Sequence, residues 1–341
     1  MRGPIRARAA CACLLAVAAA VVAGCGSGTS STRASEETTR PSAENATLIL
    51  DFTPNAVHTG IYAALARHDD RGHGVRLHVI APTATTDSIK LLETGRVNFA
   101  ILDIHDLAIA DDSSPTQPDL VGIMAIVQRP LAAVIAAPGV ASPRALQGKT
   151  VGITGAPSDT AVLKSTVAGS GGDPAKVKTI TIGFNAVADL LAGRVAGATA
   201  FWNDEGVTIQ SKRPGFHIFR VDDYGAPSYP ELVVCATRET LRDDPALARG
   251  VVDALVAGYD FTLAHPRQAA LDLEHQATGL DPALVSTQLS GLLPAFRGPG
   301  GRVGVLDQAT LATWAKWEAR FGIVSRPPDA AQMFDSRYTM R

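Results

Sequence analysis

Short apolar runs alternate with helix-like segments from residue 47 to about residue 236, and no other feature restricts the fold of this chain as much. The run at 47–52 leads into a helical pattern at 60–67, the run at 76–80 into 87–93, and the run at 98–102 into 105–110. Strands that feed helices and then further strands build a mainly parallel sheet with helices packed on its faces. The alternation continues with strands expected at 120–126, 132–136, 150–154, 178–182 and 198–201 and helices at 159–168 and 187–192. A second unit of the same kind therefore starts near Gly139. After a last strand at 232–236, four helices are expected at 245–263, 266–276, 282–293 and 307–321. Pro245, Pro266 and Pro282 stand where the first helical turn tolerates proline.

Single cores stop growing near ~250 to 300 residues, so 341 residues suit two lobes or one large domain. Two α/β lobes joined by crossings at 136–139 and 229–233 make a hinged clamshell, with its ligand in the crevice outside the carboxyl ends of the strands. The expected division places 47–136 and 233–341 in the first lobe and 137–232 in the second.

At the amino end, Arg2, Arg6 and Arg8 precede an uncharged run at 9–23 that closes on Val22-Ala23-Gly24-Cys25. This reads as a secretory signal, since a bilayer span needs ~20 apolar residues. The small residues before Cys25 resemble the lipobox of bacterial lipoproteins. On that reading residues 1–24 are a cleaved signal, Cys25 carries lipid, and 25–46, rich in Ser, Thr, Gly and Glu, is a flexible tether to the cell membrane. A plain signal peptide and an uncleaved anchor are the alternatives. Cys11 and Cys13 leave with the signal, so Cys235 stands alone in an apolar run. A disulfide framework is excluded, and Cys235 reads as a small core residue. A net charge of −2, 5% aromatics and no basic block offer no footprint for nucleic acid.

No P-loop, dinucleotide fingerprint, nucleophile elbow or zinc-protease motif is present. Asp103, His105 and Asp106 stand at a spacing that raises the question of a metal, but a carboxylate capping the helix that starts at His105 accounts for Asp103, and no metal or cofactor is expected. Three strand-to-helix loops hold the remaining polar candidates. In the first, Pro54 stops the strand, Asn55 turns the chain, and Asp51, Asn55 and His58 are placed either to meet a polar ligand or simply to build the turn. In the second, Gly152 to Thr160, Ser158 and Asp159 open a helix whose amides suit an anion, although Asp159 opposes one by like charge. In the third, Phe201 or Trp202 can stack on a flat ring, and Glu205 can accept from an exocyclic amine; the helix dipole alone also explains Asp204 and Glu205.

The loop Asp51-Phe52-Thr53-Pro54-Asn55-Ala56-Val57-His58-Thr59-Gly60, together with Ala200-Phe201-Trp202-Asn203-Asp204-Glu205, resembles the thiamine-pyrimidine precursor-binding family of transporter substrate-binding proteins. That family is related to the sulfonate-, nitrate- and taurine-binding group and to a eukaryotic pyrimidine synthase. The resemblance implies a type II periplasmic-binding-protein clamshell with a helical carboxyl-terminal region. It implies a monomer that captures a thiamine-related pyrimidine, of hydroxymethyl or formylaminomethyl type, for an ABC permease in the membrane. It further implies that Asn55 contacts the pyrimidine, Phe201 packs on its face and Glu205 bonds its amino edge, with Asp51 and His58 lining the pocket. Phe52 stands where relatives carry Trp or Tyr, so the ring is kept and a hydroxyl lost. Ser158, Asp159 and Thr160 fall at the rim where the synthase branch grips phosphate. That branch also depends on a cysteine-rich segment and iron; one internal cysteine argues against an enzyme. Riboflavin, taurine and other aliphatic sulfonates are the alternative ligands, and Glu205 argues against a sulfonate.

Overall fold

The computed structural model describes residues 43–113 and 119–340; the expected signal, Cys25 and most of the expected tether lie outside the described residues. The strands are β1 (Glu44–Ile49), β2 (Val75–Ile80), β3 (Phe99–Asp103), β4 (Leu120–Ala125), β5 (Ala132–Ala136), β6 (Thr150–Ile153), β7 (Lys178–Thr181), β8 (Gly197–Phe201), β9 (His217–Arg220) and β10 (Leu232–Thr237). Interleaved in the first half are helices α1 (Thr59–Ala66), α2 (Asp69–Gly72), α3 (Asp87–Glu93), α4 (Ile104–Ser113), α5 (Ser158–Gly169), α6 (Ala186–Leu191) and α7 (Val207–Lys212). The carboxyl-terminal helices are α8 (Arg238–Asp243), α9 (Pro245–Ala264), α10 (Pro266–Gln276), α11 (Pro282–Leu292), α12 (Gln308–Arg320) and α13 (Ala330–Met333). Among the described residues no helix is long and apolar enough to cross a membrane.

The strands form two five-stranded sheets, ordered β2-β1-β3-β10-β4 and β7-β6-β8-β5-β9. In each, three strands run parallel (β2, β1 and β3; β7, β6 and β8) and two complete the sheet in antiparallel pairing. Central strands carry unbroken apolar sequences: Ala132–Ala136 and Leu232–Thr237 are buried at every residue, as strands covered on both faces must be. Edge strand β2 instead alternates, with Arg76 and His78 exposed.

The expected lobe division is corrected at Ala132–Ala136. This strand pairs with β8 and β9 in the second sheet, so the chain has already crossed when it reaches Ala132. A second correction concerns β1, which begins at Glu44, inside the stretch expected to be tether. An apolar run announces a strand but does not say which sheet takes it.

Helix α9 fixes the floor of the first lobe. Its start is capped by Asp244, whose carboxylate accepts from the Leu247 N–H, with proline in the first turn. It crosses α1 at Gly60 and Gly258, where a methyl group on Gly258 would overlap the Gly60 carbonyl and come within 2.8 Å of the Ala64 Cβ. The neighbouring Tyr259 hydroxyl, fully buried, donates to the Val57 carbonyl at 2.8 Å and thereby ties the first strand-to-helix loop to α9. Trp314 and Trp317 of α12 are buried, as packing residues.

Candidate functional site

A cavity with about 850 Å³ of open space, its mouth included, lies where the carboxyl ends of parallel strands from both sheets converge. Asp51, Phe52 and Asn55 line it from the end of β1, Asp103 and Asp106 from β3 and α4, Ser158 and Asp159 from the start of α5, and Phe201, Asp204 and Glu205 from the end of β8. Phe184, ahead of α6, faces Phe52 edge-on with ring centroids 4.4 Å apart. Six carboxylates thus share the lining with three phenylalanine rings, and no Lys, Arg or His is part of it.

The first loop is built by local hydrogen bonds. The Asn55 Oδ1 accepts from the Val57 N–H at 2.9 Å and its Nδ2 donates to the Thr53 carbonyl at 3.2 Å, while the Asn55 N–H donates to the His58 Nδ1 at 3.1 Å. This is a reciprocal cap, and it leaves Asn55 only part of its amide for a ligand. Because Nδ1 is occupied as an acceptor, His58 carries its proton on Nε2, which faces Asp51 Oδ1 at 2.9 Å. His58 is fully buried and stands behind Asp51. The expectation that it lines the pocket is therefore corrected: it orients a carboxylate that does.

The second loop also departs from expectation. The first amide of α5 is already taken: the Ser158 N–H donates to the Asp106 Oδ1 at 2.8 Å. Asp159 accepts from the Gly155 N–H at 2.7 Å, from the Thr154 hydroxyl at 2.9 Å, and from the Thr199 hydroxyl. The position a phosphate would occupy at this helix start is filled by two carboxylates. Thr160, one residue further round α5, is exposed and does not line the cavity.

In the third loop, residues Trp202–Gly206 form a π-helical turn. The wide turn lets the Glu205 carboxylate reach back to accept from the Phe201 N–H at 3.1 Å, which sets Phe201 and Glu205 side by side on the wall. Trp202 points elsewhere: its Nε1 donates to the Pro130 carbonyl at 3.0 Å and the Arg220 guanidinium lies 4.5 Å over its ring. It stabilises the crossing between the sheets and is not a stacking residue.

Burial pushes the Glu205 carboxyl up to about 8, with Asp204 nearby adding to the effect. It pushes Asp204 and Asp106 up to about 6 against the hydrogen bonds that favour their charge, and raises Asp103 well above the usual range. Asp103 caps α4 as expected, accepting from the His105 N–H at 2.7 Å, and also faces the cavity.

Behind this wall Asp103 and His105, whose spacing raised the question of a metal, are joined by acids from distant parts of the chain. His105, Asp103 and Glu231 converge, and both imidazole nitrogens are occupied, Nδ1 by Glu318 and Nε2 by the Tyr229 hydroxyl at 3.0 Å. Burial opposes the imidazolium charge, but Glu318, Asp103 and Glu231 outweigh it and raise His105 to about 10. A cation enclosed by acids, with no ring nitrogen to spare, is a poor metal ligand. Glu231 also accepts from the Leu131 and Ala132 N–H groups at 2.5 and 2.9 Å, so one buried carboxylate on the second crossing holds the first.

A pH dependence follows. Glu205, Asp204, Asp106 and His105 all keep protons in the folded chain at pH values where the unfolded chain, with ordinary values of 3.8, 4.5 and 6.5, has lost them. Stability must then fall as pH rises, from about 4 to 8 for the acids and from about 6.5 to 10 for His105. Each group held one pH unit above its unfolded value contributes ~1.4 kcal/mol. Thermal melts of ligand-free protein should show a midpoint several degrees lower at pH 9 than at pH 5; a flat or rising profile contradicts these assignments.

The profile of the family described as NMT1/THI5 like matches residues 55–269, well over half of the chain. The formylaminopyrimidine-binding protein of Halalkalibacterium halodurans is 28% identical over 300 residues, covering 86% of this chain and 90% of that protein. Among solved structures, the alkanesulfonate-binding protein SsuA of Xanthomonas axonopodis pv. citri, bound to MOPS, superimposes with a TM-score of 0.67 at 15% identity over 86% of this chain and all of that one. The nitrate-binding protein NrtA of Synechocystis PCC 6803 gives 0.67 at 11% identity, covering 88% and 87%. These relatives are binding proteins, not enzymes. The two sheets, their crossings and the crevice between them are the type II periplasmic-binding-protein fold, and the chain belongs to the NMT1/THI5-like family.

Proposed function

We propose that this protein is the substrate-binding component of an ABC importer and captures a thiamine-related pyrimidine, of hydroxymethyl or formylaminomethyl type, between its lobes. The observation that carries this reading is the cavity lining. A flat ring finds Phe201, Phe52 and Phe184, and an amino-substituted edge finds Glu205 beside Phe201. A protonated carboxyl, which burial favours at Glu205, offers a donor and an acceptor together; an aminopyrimidine edge presents a ring nitrogen acceptor beside an amine donor. The relative named for formylaminopyrimidine binding supports the same ligand class.

An anion is disfavoured. The alkanesulfonate- and nitrate-binding proteins share the fold, but here carboxylates line the crevice and occupy the α5 start. Riboflavin keeps the ring and remains a competitor within the same fold. Lipidation at Cys25, an extracytoplasmic location on the cell membrane, action as a monomer and delivery to a permease complete the reading.

Calorimetry on the full chain, freed of ligand by reversible unfolding, tests it. Hydroxymethylpyrimidine or formylaminomethylpyrimidine should bind saturably at 1:1 and be recovered unchanged by mass spectrometry, and taurine should give no heat. Signals for riboflavin or taurine alone would sink the pyrimidine assignment and keep the clamshell.

A further inference from the structure

We infer that the preferred ligand is a cation, a flat amino-substituted heterocycle bearing a protonated amine arm that ion-pairs with Asp106. The inference rests on the cavity assignment above, keeps its amino-substituted ring, and replaces the neutral hydroxymethyl or formylaminomethyl arm named there with a charged one.

The acidic groups divide into two poles. Asp51, Asp204 and Glu205 influence one another and gather at the ends of β1 and β8. Asp103, Asp106 and Asp159 influence one another in sequence and gather at the starts of α4 and α5. The first pole meets the amino edge of a ring stacked on Phe201. The second then faces whatever substituent the ring carries, and the lining supplies no cation to answer it.

Within the second pole the three carboxylates are not equivalent. Asp159 is surrounded by neutral donors from Gly155, Thr154 and Thr199, and is structural. Asp103 caps α4 and lies against Glu231 and His105, whose charge compensates it. Asp106 receives the Ser158 backbone and hydroxyl groups, with the His105 charge as a lesser favourable influence, and faces the cavity. A half-buried carboxylate on the cavity wall is satisfied best by an ammonium, since a charge-assisted pair is about twice as strong as a neutral one. A hydroxymethyl or formylated arm supplies a hydrogen bond without the charge.

The test compares three pyrimidines differing only in the arm, aminomethyl, hydroxymethyl and formylaminomethyl, by calorimetry at pH 7 on the full chain, alongside benzylamine and benzyl alcohol. The amine should bind about tenfold or more tighter than either neutral analogue, and benzylamine should outbind benzyl alcohol. In Asp106→Asn, which keeps an acceptor for the Ser158 N–H, the ratio of amine to hydroxymethyl affinity should fall to about one. A melting curve like the parent's establishes that the variant is folded. Equal or weaker binding of the amine overturns the inference and leaves the pyrimidine reading intact. Silence for all three pyrimidines with benzylamine still preferred overturns the pyrimidine reading and leaves the charge preference. A preference that survives in Asp106→Asn removes Asp106 from the role.

Discussion

Glu205→Ala is expected to lower affinity for the pyrimidine about 100-fold, with the melting temperature of the ligand-free protein unchanged or raised. The loss follows from what the side chain presents. A two-point contact between a protonated carboxyl and an aminopyrimidine edge is a pair of hydrogen bonds, ~3 kcal/mol when both vanish and the ligand edge is left unpaired in a closed crevice. The stability effect has the opposite sign because Glu205 is strained by its surroundings: burial and Asp204 both disfavour its charge. Removing it relieves that cost and gives up one bond from the Phe201 N–H. Glu205→Gln is the discriminating companion. An amide also offers a donor and an acceptor, so it should retain binding within about tenfold. Calorimetry and thermal melts on the two variants decide the matter. An alanine variant that binds like the parent would remove Glu205 from the site altogether.

The sequence disclosed the architecture and the walls of the site better than the roles of individual residues, and the reason lies in the range of the interactions involved. Strand and helix periodicity is local, so the alternation predicted both sheets and the long carboxyl-terminal helices. Local composition likewise marked the loops at Asp51 and Glu205, because a proline that stops a strand and two adjacent aromatics need no partner to be noticed. Asp106 was legible only as part of a metal-like spacing, since its partner Ser158 is 52 residues away and meets it only across the crevice. Phe184 is a single ring in a loop, with nothing nearby to distinguish it until Phe52 packs on it. Thr160 and Trp202 sat in the right motifs and face the wrong way, because a helix turns ~100° per residue and adjacent side chains cannot share a direction. His58 was read as a ligand contact when its two ring nitrogens are spent on Asn55 and Asp51. Strand β9 was overlooked: four residues after a Pro-Gly turn, with a histidine and an arginine among them, carry too little pattern. The assignment of Ala132–Ala136 to a lobe failed for a related reason, as pairing partners are chosen by topology and not by the strand's own residues.

Gly258→Val should unfold the protein at a markedly lower denaturant concentration, a loss of about 3 kcal/mol or more, and should abolish ligand binding well before the unfolding midpoint. Neither α1 nor α9 can yield locally. A β-carbon at Gly258 would overlap the Gly60 carbonyl and press within 2.9 Å of the Ala64 backbone nitrogen, and a β-carbon at Gly60 would overlap the Tyr259 ring. Backbone is the obstacle, so no rotamer change relieves it, and α1 must lift from α9. Moving α1 carries the preceding turn with it. The Tyr259 hydroxyl then loses the Val57 carbonyl, the Asn55–His58 cap shifts, and the histidine that orients Asp51 is displaced. The site is thereby coupled to a contact between two helices of the first lobe that lies outside the cavity lining. Gly72→Ala provides the control, because a methyl group there meets nothing within 4 Å and its backbone is not in the left-handed region; its midpoint should lie within ~0.5 kcal/mol of the parent's. If Gly258→Val binds ligand as the parent does, then Tyr259 and the α1–α9 contact do not set the geometry of the Asp51 loop, and the loop must be held by its own hydrogen bonds alone.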